Sequence, residues 1–119
     1  MKKTNLAITG CMGRMGQQII KSAIKDKNFK LVTLTENKII NKKINGIKID
    51  LNTEQAFKKV DIIIDFTIPK CTFQVLKIAS KLKKRVVIGT TGFTKKEDNL
   101  IKRFKKYSNF KSWEYESRN

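Results

Sequence analysis

Short apolar runs alternate with longer amphipathic stretches along the chain. Four continuous apolar runs predict buried strands, at residues 5–9, 29–35, 60–66 and 85–88. Apolar residues at helical spacing predict three helices and one shorter helix, over residues 14–27, 69–84 and 94–107 and over 53–59. Residues 36–52 mix Asn, Lys and Ile without a firm period, and no element is predicted there.

The starts of two predicted helices are marked in the sequence. Pro69 suits a first helical turn, and Thr94 with Glu97 has the spacing of a capping box. Strands that alternate with helices predict an α/β fold with a parallel, doubly wound sheet. The carboxyl ends of such strands share one edge of the sheet, and a ligand is expected at that edge.

The turn after the first predicted strand carries the strongest chemical signal. Gly10, Gly13 and Gly16 are spaced G-x-x-G-x-x-G between a strand and a helix, which lets the backbone approach a pyrophosphate at the helix N-terminus. Glu36 stands 20 residues after Gly16, at the end of the second predicted strand, where the ribose hydroxyls of a dinucleotide would lie. The alternative is a glycine-rich turn with an ordinary surface glutamate.

Two further segments end on the same edge. The segment 65–69 closes the third predicted strand, and the segment 89–93 closes the fourth. Glycines beside Thr90 and Thr91 would let the backbone approach a flat ring, with hydroxyls to fix its amide. The alternatives are that Asp65 caps the following helix and that the second segment is only a turn.

Together the sequences GCMGRMG, DFTIPKCT and VVIGTTGF resemble the N-terminal domain of the 4-hydroxy-tetrahydrodipicolinate reductase (dihydrodipicolinate reductase) family over residues 4–107. The resemblance implies a Rossmann-like dinucleotide-binding domain over residues 1–107, with NADH or NADPH as cofactor. It also implies hydride transfer to a cyclic dicarboxylate substrate in lysine and diaminopimelate synthesis.

The resemblance also implies which residues form the cofactor site. Pyrophosphate contacts are expected from Gly10, Cys11, Met12, Gly13, Arg14 and Met15, and a ribose contact is expected from Glu36. Phe66 and Thr67 would lie along the cofactor. Gly89, Thr90 and Thr91 would place the nicotinamide, with Thr91 also touching the substrate. No residue of this chain is assigned a catalytic or metal-binding role.

Two departures from the family pattern change the expectation. Asn37 stands where many members have an arginine for the 2′-phosphate of NADPH, so we expect both cofactors to bind, with NADH relatively favoured. The family's C-terminal α+β domain, with a His-His pair and a catalytic lysine, has no counterpart in these residues. We therefore expect a truncated sheet of marginal stability, no meaningful reductase activity from this chain alone, and loss of the family's homo-oligomer.

Residues 108–119 are a predicted non-family tail. Family members often read Lys-Ser-Gly-Asn-Met-Ser-Leu-Gly-Ile-Asn where this chain, from residue 111, reads Lys-Ser-Trp-Glu-Tyr-Glu-Ser-Arg-Asn. With suitable synonymous codons for the family sequence, one T inserted after the serine codon shifts the reading frame. The shifted frame encodes the tail of this chain and then reaches a stop codon. A frameshifted or mis-sequenced gene explains this tail, and the alternative is a natural short protein. Sequencing the locus for an intact downstream reading frame distinguishes the two.

Composition limits the partners. The chain of 119 residues has 27 Lys and Arg against 10 Asp and Glu, a net charge of +17. Because 23 of these cations are lysines spread along the whole chain, we expect a solvated surface and no nucleic-acid partner, with a polyanion-binding surface as the alternative. No apolar run suits a membrane span, and two isolated cysteines fit a reducing cytoplasm. A stand-alone dinucleotide-binding or sensing module without catalysis is the alternative function.

Overall fold

The computed structural model of the chain describes residues 2–107 and 114–115. Its elements follow in the order β1 (Thr4–Thr9), α1 (Arg14–Lys25), β2 (Phe29–Glu36), β3 (Lys43–Ile44), β4 (Ile47–Leu51), α2 (Glu54–Phe57), β5 (Ile62–Asp65), α3 (Pro69–Leu82), β6 (Arg85–Ile88), α4 (Lys95–Tyr107) and β7 (Glu114–Tyr115). All predicted strands and helices are confirmed, and their ends differ from the prediction by two residues at most. The predicted tail lies outside the described residues except for β7.

One sheet holds the strands in the order β3-β4-β2-β1-β5-β6-β7. The first strand, β1, lies near its centre and pairs in parallel with β2 on one side and with β5 on the other. Among the described strands β3 alone runs antiparallel, to β4. After β1 the chain adds β2, β3 and β4 on one side of β1, and from β5 onward it adds strands on the other side. The cleft beside the carboxyl ends of β1 and β5 is therefore the place where such a sheet binds its ligand.

Helices cover both faces of this sheet, which confirms the doubly wound arrangement. On one face α2, α3 and α4 pack against the strands, with Leu76 of α3 and Ile63 of β5 in the same buried cluster. On the other face α1 packs Ile20 against Ile8 of β1. Ala7 and Ile8 belong to different clusters because successive residues of a strand point to opposite faces.

Residues 36–52 contain two strands that the hydrophobic pattern did not predict. The strands β3 and β4 form a hairpin whose turn residues are Asn45, with φ of 53°, and Gly46, with φ of 77°. Positive φ at both turn positions is typical of a type I′ turn, for which Asn-Gly is a favoured dipeptide. The pair Asn45-Gly46 was therefore the available signal for this hairpin.

Two helix starts are capped by side chains. The Thr94 N–H donates to Glu97 Oε1 at 2.9 Å, and the Glu97 N–H donates to Thr94 Oγ1 at 3.1 Å. These reciprocal bonds confirm the predicted capping box at the start of α4. Thr53 likewise accepts a hydrogen bond from the Ala56 N–H at 3.1 Å, which fixes the start of α2.

Candidate dinucleotide site

The loop between β1 and α1 is closed by contacts that admit only glycine at two positions. Gly10 has φ of 67°, and a Cβ there would lie 2.3 Å from the Phe66 carbonyl oxygen. A Cβ at Gly16 would lie 2.2 Å from the Gly10 carbonyl oxygen. Both distances are far inside van der Waals contact, so the loop packs backbone against backbone. This is the close approach that the glycine spacing predicts.

Gly13 leaves the N-terminus of α1 open. It is the cap residue of the helix and offers no side-chain hydrogen bond, and the first helical turn contains no acidic residue. Among the described atoms, a Cβ at Gly13 would meet only the Gly10 carbonyl oxygen, 3.3 Å away. The helix N-terminus carries a partial positive charge, and the exposed Arg14 adds a full one beside it. The cradle therefore fits the pyrophosphate of a dinucleotide.

Glu36 ends β2 and reaches back to the glycine loop. Its Oε2 accepts a hydrogen bond from the Met12 N–H at 2.8 Å, so the acid and the loop lie together as the sequence spacing predicts. The Cys11 thiol is buried beneath the same loop. This burial, and secondly the negative charge of Glu36, raises the pKa of Cys11 to about 11. The thiol therefore stays protonated at neutral pH, and only the backbone of Cys11 is suited to contact a phosphate.

A buried carboxylate lies beneath the loops that follow β5 and β6, at the same edge of the sheet. Asp65, the last residue of β5, has no exposed surface. Its Oδ1 accepts hydrogen bonds from the hydroxyls of Thr9, at 2.6 Å, and Thr67, at 2.9 Å. Its Oδ2 accepts from the hydroxyls of Thr72 and, at 2.9 Å, Thr90. An ionised carboxylate has about four acceptor positions, and these four hydroxyls fill them.

The role of helix cap that the sequence offered as an alternative for Asp65 is wrong. The N-cap residue of α3 is Ile68, and no side chain bonds to that cap. Asp65 instead bonds to hydroxyls of β1, α3 and the loops after β5 and β6. Thr9 precedes the glycine loop and Thr72 ends the segment DFTIPKCT, but neither was predicted as part of the site, because the fold brings their hydroxyls to Asp65.

The loops after β5 and β6 are joined to each other, and their two threonines differ in exposure. The Thr90 hydroxyl accepts from the Thr67 N–H at 2.7 Å while it donates to Asp65. Thr90 is 6% exposed, and Thr91 is exposed. The hydroxyl of Thr90 is thus hydrogen-bonded inside the protein, whereas Thr91 is exposed to solvent. The ring of Phe66 lies against Gly89, where a Cβ would come within 2.1 Å of it.

The glycine loop, the end of β2 and the loop after β5 line one cleft of about 280 Å³ at the carboxyl edge of the sheet. Five of the twelve predicted residues line it, namely Gly10, Gly13, Glu36, Phe66 and Thr67. Of the other seven, four lie in the glycine loop or at the start of α1, and three lie in the loop after β6, outside the lining of this cleft, namely Gly89, Thr90 and Thr91. The cleft shares Asn37 and Ile68 with a wider groove of about 790 Å³ along α3. An elongated ligand therefore has room from the glycine loop along α3.

Neither a metal centre nor a membrane-spanning helix is found in the part of the chain that the structure describes. No three His, Cys, Asp or Glu side chains among residues 2–107 are grouped closely enough to hold an ion. None of the described helices is long and apolar enough to cross a bilayer.

Comparison with known proteins gives a consistent set of relatives. The family model described as "Dihydrodipicolinate reductase, N-terminus" matches residues 4–111. A 4-hydroxy-tetrahydrodipicolinate reductase of Pelagibacter ubique (strain HTCC1062) is 73% identical over 106 residues, which cover 89% of this chain and 41% of that protein. A reductase of the same name from Buchnera aphidicola subsp. Acyrthosiphon pisum (strain Tuc7) is 40% identical over 116 residues, covering 87% of this chain and 42% of that protein.

A solved structure agrees with these sequence relatives. The dipicolinate-bound dihydrodipicolinate reductase from Paenisporosarcina sp. TG-14 superposes with a TM-score of 0.71 at 26% identity, covering 87% of this chain and 43% of that one. The chain spans about two fifths of the length of the curated relatives it matches. From the family match, the shared motifs and the shared fold, we conclude that this chain belongs to the dihydrodipicolinate reductase N-terminal family.

Proposed function

We propose that this chain is the dinucleotide-binding part of a 4-hydroxy-tetrahydrodipicolinate reductase. The observation that carries the proposal is the cradle formed by the glycine loop, the uncapped N-terminus of α1 and the carboxylate of Glu36. The pyrophosphate would bind at the segment 10–15, that is Gly10, Cys11, Met12, Gly13, Arg14 and Met15. A bound NADH or NADPH would supply the hydride.

The two halves of the cofactor would lie on opposite sides of β1. Glu36 ends β2, so the adenosine ribose is expected on that side, as in other doubly wound dinucleotide sites. The nicotinamide half would then extend over β5 and β6. Phe66 and Thr67 would lie along it, and the backbone of Gly89 and Thr90 would hold the ring. The hydroxyl of the exposed Thr91 would face the nicotinamide amide and the substrate.

The reaction of the whole reductase would be hydride transfer to the unsaturated ring of a cyclic dicarboxylate. These 119 residues contain no histidine, so the His-His pair expected from the family resemblance is not among them. Positioning of substrate together with acid catalysis supplies a large part of an enzyme's rate. We expect no meaningful reductase activity from the 119 residues alone. The two free, buried cysteines support assignment of the protein to the cytoplasm.

The charges around Glu36 favour NADH over NADPH. A 2′-phosphate would approach the carboxylate of Glu36, and like charges repel. Asn37, beside it, is exposed and carries no charge to compensate. Lys38, Lys42 and Lys43 follow in the same segment and offer point charges without the paired donors of an arginine. Both cofactors are therefore expected to bind, with NADH the tighter.

Calorimetric titration of the purified chain with NADH and NADPH tests the proposal. The variant Glu36→Gln keeps an oxygen that accepts from the Met12 N–H but loses the charge, whereas Glu36→Ala loses both. We expect Glu36→Gln to weaken NADH about tenfold and NADPH less, because a charged acceptor binds ribose hydroxyls more strongly than a neutral one. Glu36→Ala is expected to weaken both cofactors because the loop also loses its side-chain support.

The matched control is Glu54→Gln. Glu54 is exposed and pairs with Lys81 at 3.0 Å, away from the cleft. This control should leave both affinities unchanged. A folded chain that binds neither cofactor, or an equal loss in Glu36→Gln and Glu54→Gln, would contradict the proposed function.

A further inference from the structure

We infer that Asp65 is a positioning residue for the nicotinamide half of the site, an inference that rests on the proposed cofactor binding. The geometry points to this role because one buried carboxylate joins four elements of the fold. Its partners are separated from it by 56, 2, 7 and 25 residues in the sequence, which places them on β1, in the loop after β5, on α3 and in the loop after β6.

The bonds form a directed chain that fixes both loops. The Thr67 N–H donates to the Thr90 hydroxyl, and that hydroxyl donates its single proton to Asp65 Oδ2. With its proton held there, the Thr90 oxygen presents its lone pairs to the Thr67 N–H. The Gly89 N–H also donates to the Asp65 carbonyl oxygen at 2.7 Å. In the loop after β6, Gly89 is thus held by the backbone carbonyl of Asp65, and Thr90 is held by the carboxylate of Asp65.

The network serves one side of the cleft more than the other. On the side of β2, Glu36 supports the glycine loop through the Met12 N–H. Asp65 has no hydroxyl partner on β2, and two of its partners lie in the loops that would carry the nicotinamide. Disturbing Asp65 should therefore impair nicotinamide binding before it impairs binding of the adenosine half.

Replacement by asparagine isolates this effect. An amide of the same shape presents one oxygen and one NH₂ group, so the two hydroxyls that face the nitrogen lose their acceptor. Oδ1 accepts from Thr67 and Oδ2 accepts from Thr90. Each oxygen therefore holds one of the two loops, and neither orientation of the amide keeps both.

The experiment is a fluorescence titration of the full chain with NADH, together with competition by ADP-ribose, which lacks the nicotinamide. We expect Asp65→Asn to raise the NADH dissociation constant about fivefold and that of ADP-ribose less than about twofold, the scale of one lost buried hydrogen bond. The enhanced emission of bound NADH should fall as well, since it reports on the surroundings of the nicotinamide. A residue that only stabilises the fold would change both ligands alike.

The control is Asp61→Asn, at the other end of the same strand. Asp61 is exposed, and its Oδ2 accepts from the Asn5 N–H at 2.8 Å at the opposite edge of the sheet. It should leave both affinities unchanged. Thr72→Val and Thr72→Ser form a second pair that does not alter Asp65 itself. The valine variant removes one hydroxyl from Oδ2 and should weaken NADH in the same selective way, and the serine variant should restore it.

The outcomes separate the two proposals. Equal weakening of NADH and ADP-ribose in Asp65→Asn, or unchanged NADH binding in the folded variant, overturns the positioning role. If Asp65→Asn fails to fold, failure of Thr72→Val to weaken NADH selectively overturns it. A wild-type chain that binds neither ligand overturns the proposed function, and the inference with it.

Discussion

The glycine loop after β1 and the threonine loops after β5 and β6 lie at the same edge of the sheet, but different contacts hold them. In the glycine loop, backbone contacts backbone at Gly10 and Gly16. Two side chains also bond to Met12 of this loop, Glu36 to its N–H and Gln17 to its carbonyl oxygen. In the loops after β5 and β6, side chains meet at one point, the carboxylate of Asp65. A close backbone approach fixes a shape by exclusion, whereas a buried polar network fixes it only while every member has its partner.

This difference predicts two kinds of failure. Any side chain at Gly10 or Gly16 should disrupt the glycine loop, because the Cβ itself would overlap a backbone atom whatever rotamer the side chain adopts. The loops after β5 and β6 should instead lose stability in steps, as the hydroxyls bonded to Asp65 are removed one at a time.

The largest effect is expected from Gly16→Ala. Its Cβ would lie 2.2 Å from the Gly10 carbonyl oxygen and 2.9 Å from Cys11 Cα, so the loop must move. We expect a loss of about 3 kcal/mol in the free energy of unfolding, at the upper end for overpacking, and no measurable NADH binding. Urea unfolding and a calorimetric titration measure the two effects.

The control for that variant is Gly46→Ala in the hairpin turn. Gly46 has φ of 77°, but a Cβ there would meet nothing within 4 Å. It should cost only the strain of a left-handed residue, about 1–2 kcal/mol, and leave NADH binding intact. NADH binding by Gly16→Ala at wild-type strength would contradict the claim that backbone contact shapes this half.

A smaller effect is expected from Thr9→Val in the half organised by Asp65. The Thr9 hydroxyl is buried and donates to Asp65 at 2.6 Å, a bond to a charged acceptor worth about 1.5–3 kcal/mol. Its neighbour in the sheet, Thr35, is equally buried, but its hydroxyl has no hydrogen-bond partner among the described residues. Thr35→Val should therefore be neutral or stabilising. Equal losses in the two variants, measured by urea unfolding, would mean that the carboxylate adds nothing.

Near neutral pH the smallest effect is that of the buried thiol of Cys11, and it grows only as the pH rises. Its pKa of about 11 in the folded chain lies above the ordinary value of 9.0. As pH rises through 9 toward 11, the unfolded thiol releases its proton while the folded thiol keeps it, so the free energy of unfolding falls. Cys11→Ala lacks this dependence. Unfolding of both chains between pH 8 and 11 should show the wild type losing stability relative to the variant, and parallel curves would refute the assignment.

Local signals made half of the site predictable from sequence. The glycines, Glu36 and the Thr94–Glu97 cap each act over a few residues or at a strand end, and the structure brings the glycines and Glu36 together. The hairpin was missed because its strands are short and half exposed. Its best signal was a dipeptide, Asn45-Gly46, and not a hydrophobic period.

The half organised by Asp65 was not predictable in the same way. The hydroxyls of Thr9 and Thr90 meet the carboxylate only after the sheet has formed. Nothing in the sequence around Thr9 marks it as a partner of an acid, and Thr72, although it shares the segment DFTIPKCT with Asp65, was not predicted as one. The sequence also presents Thr90 and Thr91 as an equivalent pair, whereas the fold buries the first and exposes the second.

The central place of β1 also sets the order in which a newly made chain can fold. β1 leaves the ribosome before the other described strands, but its partner β5 begins at residue 62, and Thr9 is 56 residues from Asp65. At about 5–20 residues per second, one side of β1 waits roughly 3–10 seconds for that partner. Parallel pairing over such a distance is slow to nucleate because the loop must close first. The arrival of Asp65 thus completes the pairing of β1, and the loop after β6 can join the carboxylate only once Thr90, 25 residues later, has been made.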